Sequence, residues 1–181
     1  MPEELPKSEN SPDIESEKKE KIKALEEALR ILDHSTQSGT IHHNIIYYLG
    51  EAGEKDIAED AIKILIEDAV KKVFERNEGE SMTKRHQTVA HWPVQVADRY
   101  KEFFEAGIAD QEYNKIGMAL QDIYSANYES KSKEDDSIFQ NAIERFEAQF
   151  KDFKPMDEKV KEQLLMDIRK KIESRLVKLK Q

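Results

Sequence analysis

The sequence has no cysteine among its 181 residues. That absence excludes disulfides, thiolate zinc sites, iron–sulfur clusters and a cysteine nucleophile. Six glycines and five prolines are few for the length, and three of the prolines, Pro2, Pro6 and Pro12, fall near the N-terminus. Too few turn-formers remain for a fold of many short strands. No apolar run approaches the ~20 residues of a membrane span; Ile45 to Leu49 is among the longest. A Gly-rich phosphate loop, a Gly-x-Ser-x-Gly elbow and a Glu-x-x-His pair are all missing, so no motif points to a catalytic centre and no cofactor is expected. The opening Met-Pro-Glu-Glu-Leu-Pro carries acid where a signal peptide carries base and has no apolar stretch behind it, which predicts a cytoplasmic protein.

What is present favours helix. Charged residues make up 37% and hydrophobic residues 38% of the chain, with Glu, Lys, Ala, Leu and Ile prominent, all good helix formers or core residues. Residues 1–15 hold three prolines and several acids, with only Leu5 and Ile14 as sizeable apolar groups beyond Met1. Such a segment cannot offset its ordering entropy by burial, so it is expected to be a disordered acidic tail. Residues 16–181 are expected to form a single all-α domain, a compact bundle of about seven or eight helices built from αα-hairpins, with no β-sheet.

The expected helices run from Ser16 to Asp33, from a Thr40 cap to Leu49, from Lys55 to Arg76, near Thr83 to His91, from Pro93 to Ala106, from an Asp110 cap to about Tyr128, from Asp136 or Ser137 to before Pro155, and from an Asp157 cap to near Lys180. Small polar caps open these segments and Gly50 and Gly107 close two of them. Residues 129–136 are expected to be an exposed loop. The segments Glu51-Ala52-Gly53 and Glu105-Ala106-Gly107, each followed by an Asp three residues on, suggest shared turn chemistry rather than a repeat.

The segment Lys55 to Arg76 is written in columns of four. Positions 55, 59, 63, 67, 71 and 75 read Lys, Glu, Lys, Glu, Lys, Glu, while 57, 61, 65, 69 and 73 read Ile, Ala, Leu, Ala, Val. The charged column predicts a solvated ladder of i,i+4 pairs, each contributing roughly 0.2–0.5 kcal/mol. A period of four drifts about 40° per step against 3.6 residues per turn. The apolar stripe therefore turns through about 200° along the segment, and its two ends must face different neighbours. That predicts the central helix of the domain. Two aromatic stripes, Phe139, Phe146, Phe150 and Phe153 and then Tyr113, Leu120, Tyr124 and Tyr128, are expected to pack in the core.

The net charge of −9 is uneven. Residues 1–20 carry seven acids and three bases, whereas residues 154–181 carry nine bases and five acids. An acidic body argues against a nucleic-acid binder, which needs a basic footprint. The basic C-terminal segment, with Arg169, Lys170, Lys171 and Arg175, is a candidate partner-binding surface, for an acidic protein or for the acidic body of a second copy. The remaining candidates are the histidines. His42 and His43 are adjacent and, on a helix, point ~100° apart; His86 and His91 are five apart rather than the i,i+4 that places two imidazoles on one face. The sequence points first to a non-enzymatic helical protein–protein interaction module, an adaptor or regulatory subunit. A metal-binding helical bundle, with or without hydrolase activity, is the alternative, and nucleic-acid association through the basic C-terminal helix a further one.

Overall fold

A computed structural model of the chain describes residues 12–38, 41–74, 103 and 106–181. Six helices and no strand occur among the described residues: α1 (Pro12–Ser38), α2 (Asn44–Glu51), α3 (Lys55–Phe74), α4 (Gln111–Lys133), α5 (Asp136–Phe150) and α6 (Glu158–Lys180). The fold is all-α, as the composition predicts, and six of the expected helices fall among the described residues. The expected helices at 83–91 and 93–106 lie outside the described residues, apart from helical positions at Phe103 and Ala106. So do residues 1–11 of the expected tail, whereas residues 12–15 form the first turn of α1.

The caps explain the boundaries. Asp110 accepts hydrogen bonds from the Glu112 and Tyr113 amides at 3.1 and 3.3 Å, and Asp157 accepts from Lys159 N at 2.9 Å. Asp135 caps α5 through Ser137 N at 3.0 Å, and the Ser137 hydroxyl, followed by this amide, holds its carboxyl below the ordinary range. Such caps satisfy amides that have no partner inside the helix. Gly53 and Gly107 both adopt left-handed backbone, with φ of 74° and 75°, a conformation glycine reaches without a Cβ penalty. That is the shared turn chemistry of the two Glu-Ala-Gly segments, although Asp56 lies in the first turn of α3 rather than at its cap.

Several boundaries differ from expectation: α1 reaches Ser38 rather than Asp33, and α2 passes through Gly50 to Glu51. The stretch 129–136 is mostly helix, because Ser130 is buried and Lys133 pairs with Glu129 one turn earlier. α4 ends only at Glu134, in left-handed geometry, where Asp135 N returns to Ser130 O. Thr40 lies outside the described residues, and α2 starts at Asn44. Its first amide donates to His42 Nδ1 at 3.3 Å, while the N-cap residue His43 makes no side-chain cap.

Packing puts α3 at the centre. It touches α2, α4, α5 and α6, while α1 packs on α2 and α6, and α4 and α5 form an antiparallel hairpin. The buried apolar residues make one continuous cluster, to which α3 alone gives Ile57, Ala58, Ala61, Ile62, Ile64, Leu65, Ile66, Ala69, Val70 and Val73. These positions span about 240° of the helix circumference, as the rotating stripe requires and as a helix packed against several neighbours shows.

Candidate functional site

The charged column of α3 is not a solvated ladder. Lys55 does pair with Glu59, at 3.9 Å, but Glu59 Oε2 also accepts from Ala109 N at 3.2 Å. Lys63 lies 3.8 Å from the Asp110 carboxylate and over the Tyr113 ring, 5.9 Å from its centroid. Glu67 is only 5% exposed. Its carboxylate accepts the Tyr113 hydroxyl on one oxygen and Met156 N, at 2.9 Å, on the other. The drift that rotates the apolar stripe rotates this column as well, and three steps from Lys55 it has turned by about 120°, into the contact with the start of α4.

The neighbouring acids point elsewhere. Asp68 pairs with Lys161 at 2.6 Å, both side chains 12% exposed. Asp60 pairs with Lys171 at 2.6 Å, and Glu54 with Arg175 at 3.0 Å. Adjacent helix positions are about 100° apart, so each Glu-Asp doublet is divided: Glu59 and Glu67 address the start of α4, Asp60 and Asp68 address α6. As the α6 partner advances from Lys161 to Arg175, the α3 partner falls from Asp68 to Asp56, which makes the two helices antiparallel. On its other flank α6 pairs Arg169 with Asp33 and Lys180 with Glu26, both on α1. Ile168, Ile172 and Leu176 are buried between these two rows.

Three of the four candidate partner-binding cations, Arg169, Lys171 and Arg175, are thus held by the chain's own acids. The Asp33 carboxylate holds Arg169 above its ordinary pKa, and Asp60 does the same to Lys171. Lys170 is exposed and has no ion pair among the described residues. Replacing Arg169, Lys171, Arg175 and Lys180 together by Gln is expected to cost about 1–2 kcal/mol, since half-exposed pairs contribute roughly 0.2–1 kcal/mol each. Screening weakens such pairs. Thermal midpoints at low and at molar salt should therefore converge in the variant relative to the native chain.

Tyr113 reports on the Glu67 contact. Burial, followed by the hydrogen bond and the negative charge of Glu67, raises its pKa well above the ordinary 10.0. A phenol whose folded pKa is raised contributes stability that is complete below the unfolded value and is lost as pH climbs through the folded one. Stability should therefore decline above pH ~10, and less steeply in Tyr113→Phe than in the native chain. Urea titrations across that range check it.

The candidate histidines do not converge. His42 and His43 precede α2 rather than lying on it, and their rings stack with centroids 4.3 Å apart, so the helical separation assumed for them does not apply. His86 and His91 lie outside the described residues. Among the described residues no three His, Asp or Glu side chains come together in a way that could hold a metal ion, and no helix is long and apolar enough to cross a membrane.

Among the described residues, two grooves stand out. One, of about 410 Å³ between α4 and α5, sets Asp122 and Glu129 opposite Arg145 and Gln149, with the buried Ala142 and Phe146 among its lining. The other, of about 570 Å³ between α1 and α2, is lined by Glu20, Lys23 and Glu27 from α1 and by Tyr47, Tyr48 and Glu51 from α2, with buried Ala24 between them. α2 buries Ile45, Ile46 and Leu49 on one face, which turns Tyr47 and Glu51 outward at helical spacing. Tyr47 is 57% exposed and meets Tyr48 edge-on, with ring centroids 5.3 Å apart.

No protein-family model, curated protein or solved structure matches this chain. The α1–α2 groove was not singled out by the sequence reasoning, because it depends on the pairing of two helices. The outward tyrosine in an otherwise apolar short helix was its one legible signal.

Proposed function

We propose that the chain is a non-enzymatic helical interaction module, an adaptor or regulatory subunit, that docks a protein partner in the groove between α1 and α2. The observation that carries the proposal is Tyr47, an aromatic side chain 57% exposed at a groove whose charge is not internally balanced. Tyrosine suits such a role, because it offers a large rigid contact area with one polar end at little conformational cost. The chemistry that other classes need has less support. The basic helix α6 spends Lys161, Arg169, Lys171, Arg175 and Lys180 on acids of α1, α3 and the turn between α2 and α3, which leaves little charge for phosphates. It also satisfies within the chain the attraction that would otherwise join α6 to the acidic body of a second copy.

A photoreactive phenylalanine analogue at position 47 tests the proposal. In lysate of the source cells it should give a discrete crosslinked protein that the same group at exposed Ser132 on α4 does not give. Equal labelling from both positions would remove the basis for placing the interaction at this groove.

A further inference from the structure

From the same groove, and resting on the interaction reading above, we infer the chemistry of the partner: the α1–α2 groove receives an arginine-bearing, basic peptide segment. Three carboxylates, Glu20, Glu27 and Glu51, line it against one ammonium, Lys23. Glu27 is engaged by Arg30 at 2.8 Å. Glu20 and Glu51 have no ion pair among the described residues and stand on opposite walls, one on α1 and one on α2. One turn before Glu51 on the α2 wall, Tyr47 gives an aromatic surface open to solvent.

A carboxylate attracts any cation, but an aromatic face beside it selects among cations. A guanidinium is planar and weakly hydrated, so it can lie on a tyrosine ring while its edge donates to a carboxylate. A strongly hydrated ammonium loses more in making the same approach. The charge balance is also more negative than in the groove between α4 and α5, where Arg145 faces two acids, Asp122 and Glu129. The α1–α2 walls carry an uncompensated negative balance, and their charge complement is a basic segment. α2 and the adjacent part of α1 are fixed by the burial of Leu25, Ala28, Ile45, Ile46 and Leu49, so the groove is formed before a ligand arrives, which limits the ordering cost of binding.

The test uses the full chain, labelled with ¹⁵N, and a capped nine-residue peptide of alternating Arg and Gly, with a Gln-for-Arg peptide and spermine as comparisons. The Arg peptide should shift the amides of residues 20–27 and 47–51, with affinity that falls as salt rises. Tyr47→Ala should weaken it about two- to five-fold, the value of an exposed cation–π contact. Glu20→Gln with Glu51→Gln should weaken it further and flatten the salt dependence. All three positions are exposed, so the fold is retained, and the unchanged amide spectrum of each free variant verifies that. The inference is overturned if the Gln peptide binds equally well, if the shifts fall on other surfaces, or if spermine binds as tightly as the peptide. A crosslinked protein from position 47 together with a silent Arg peptide would discard the basic-segment chemistry alone. Failure of both would discard the groove as an interaction site.

Discussion

Leu65→Ala is expected to destabilise the protein by about 2–5 kcal/mol, through lost transfer energy and a cavity that the surroundings cannot close. Leu65 is fully buried at the middle of α3, and α3 is enclosed by α2, α4, α5 and α6. No single neighbour can relax into the space without leaving its contacts with the others, so the cost belongs in that range rather than below it. Against a whole-domain stability of about 5–15 kcal/mol the loss is large. For a chain of this length the thermal midpoint should fall by roughly 2–4 °C for each kcal/mol. Lys63→Ala, two positions earlier, removes an ion pair at 3.8 Å and a contact over the Tyr113 ring, worth about 0.2–1 kcal/mol at this partial exposure. Urea denaturation of the two variants gives the ordering, and equal losses would mean that α3 is not the centre of the core.

Glu67→Ala is expected to be the second large effect, at roughly 2–4 kcal/mol. The substitution leaves two donors, the Tyr113 hydroxyl and the Met156 amide, without the carboxylate between them. A buried donor left unsatisfied costs about 1–3 kcal/mol; Tyr113 is only half-buried and can turn partly to water, which keeps the total toward the lower end. Three segments lose their junction at once, because Glu67 joins α3 to the first turn of α4 and to the link before α6. Glu67→Gln should recover part of the loss, since an amide oxygen can still accept one of the two bonds. Glu59→Ala removes a single acceptor from Ala109 N and should cost about 0.5–1.5 kcal/mol. On sequence grounds the two glutamates are equivalent members of one column, so equilibrium unfolding that finds them equal would restore the solvated ladder and refute the junction.

The same arithmetic explains where sequence patterning succeeded and where it overreached. Stripes of period four look continuous in the sequence, yet each step drifts about 40° from a fixed face. In α6 the stripe Val160, Leu164, Ile168, Ile172, Leu176 is buried over its last three members, while Val160, two steps before Ile168, is 56% exposed. In α4 Leu120 is buried, Tyr124 is half-buried and Tyr128 is 72% exposed. The expected core role for Tyr128 is thus not met; Ile116, Ile123 and Ala126 join Leu120 on the buried side, and they follow spacings of three and four mixed. The phenylalanines of α5, spaced by seven and four, keep to one side better: Phe139 and Phe146 are buried, and the Phe146 and Phe150 rings lie 4.8 Å apart.

The sequence by itself determined the helical class, the caps at Asp110 and Asp157, the closing glycine at Gly107 and the burial of the middle of α3; Gly50, expected to close α2, lies inside it, and the left-handed turn falls at Gly53. The determined features follow from chemistry within a few residues of chain: a carboxylate reaching the amides of the next turn, a missing Cβ, an apolar column on a known helical period. The tertiary structure alone decided which charges meet. Whether Glu67 is solvated or buried, whether Asp60 salts its own helix or grips Lys171, and whether Tyr47 faces a neighbour or a groove depend on contacts between residues tens to more than a hundred positions apart. A charge on a helix surface has the same local pattern whether water or another helix lies opposite, and only the packing of the whole chain fixes which of the two it meets.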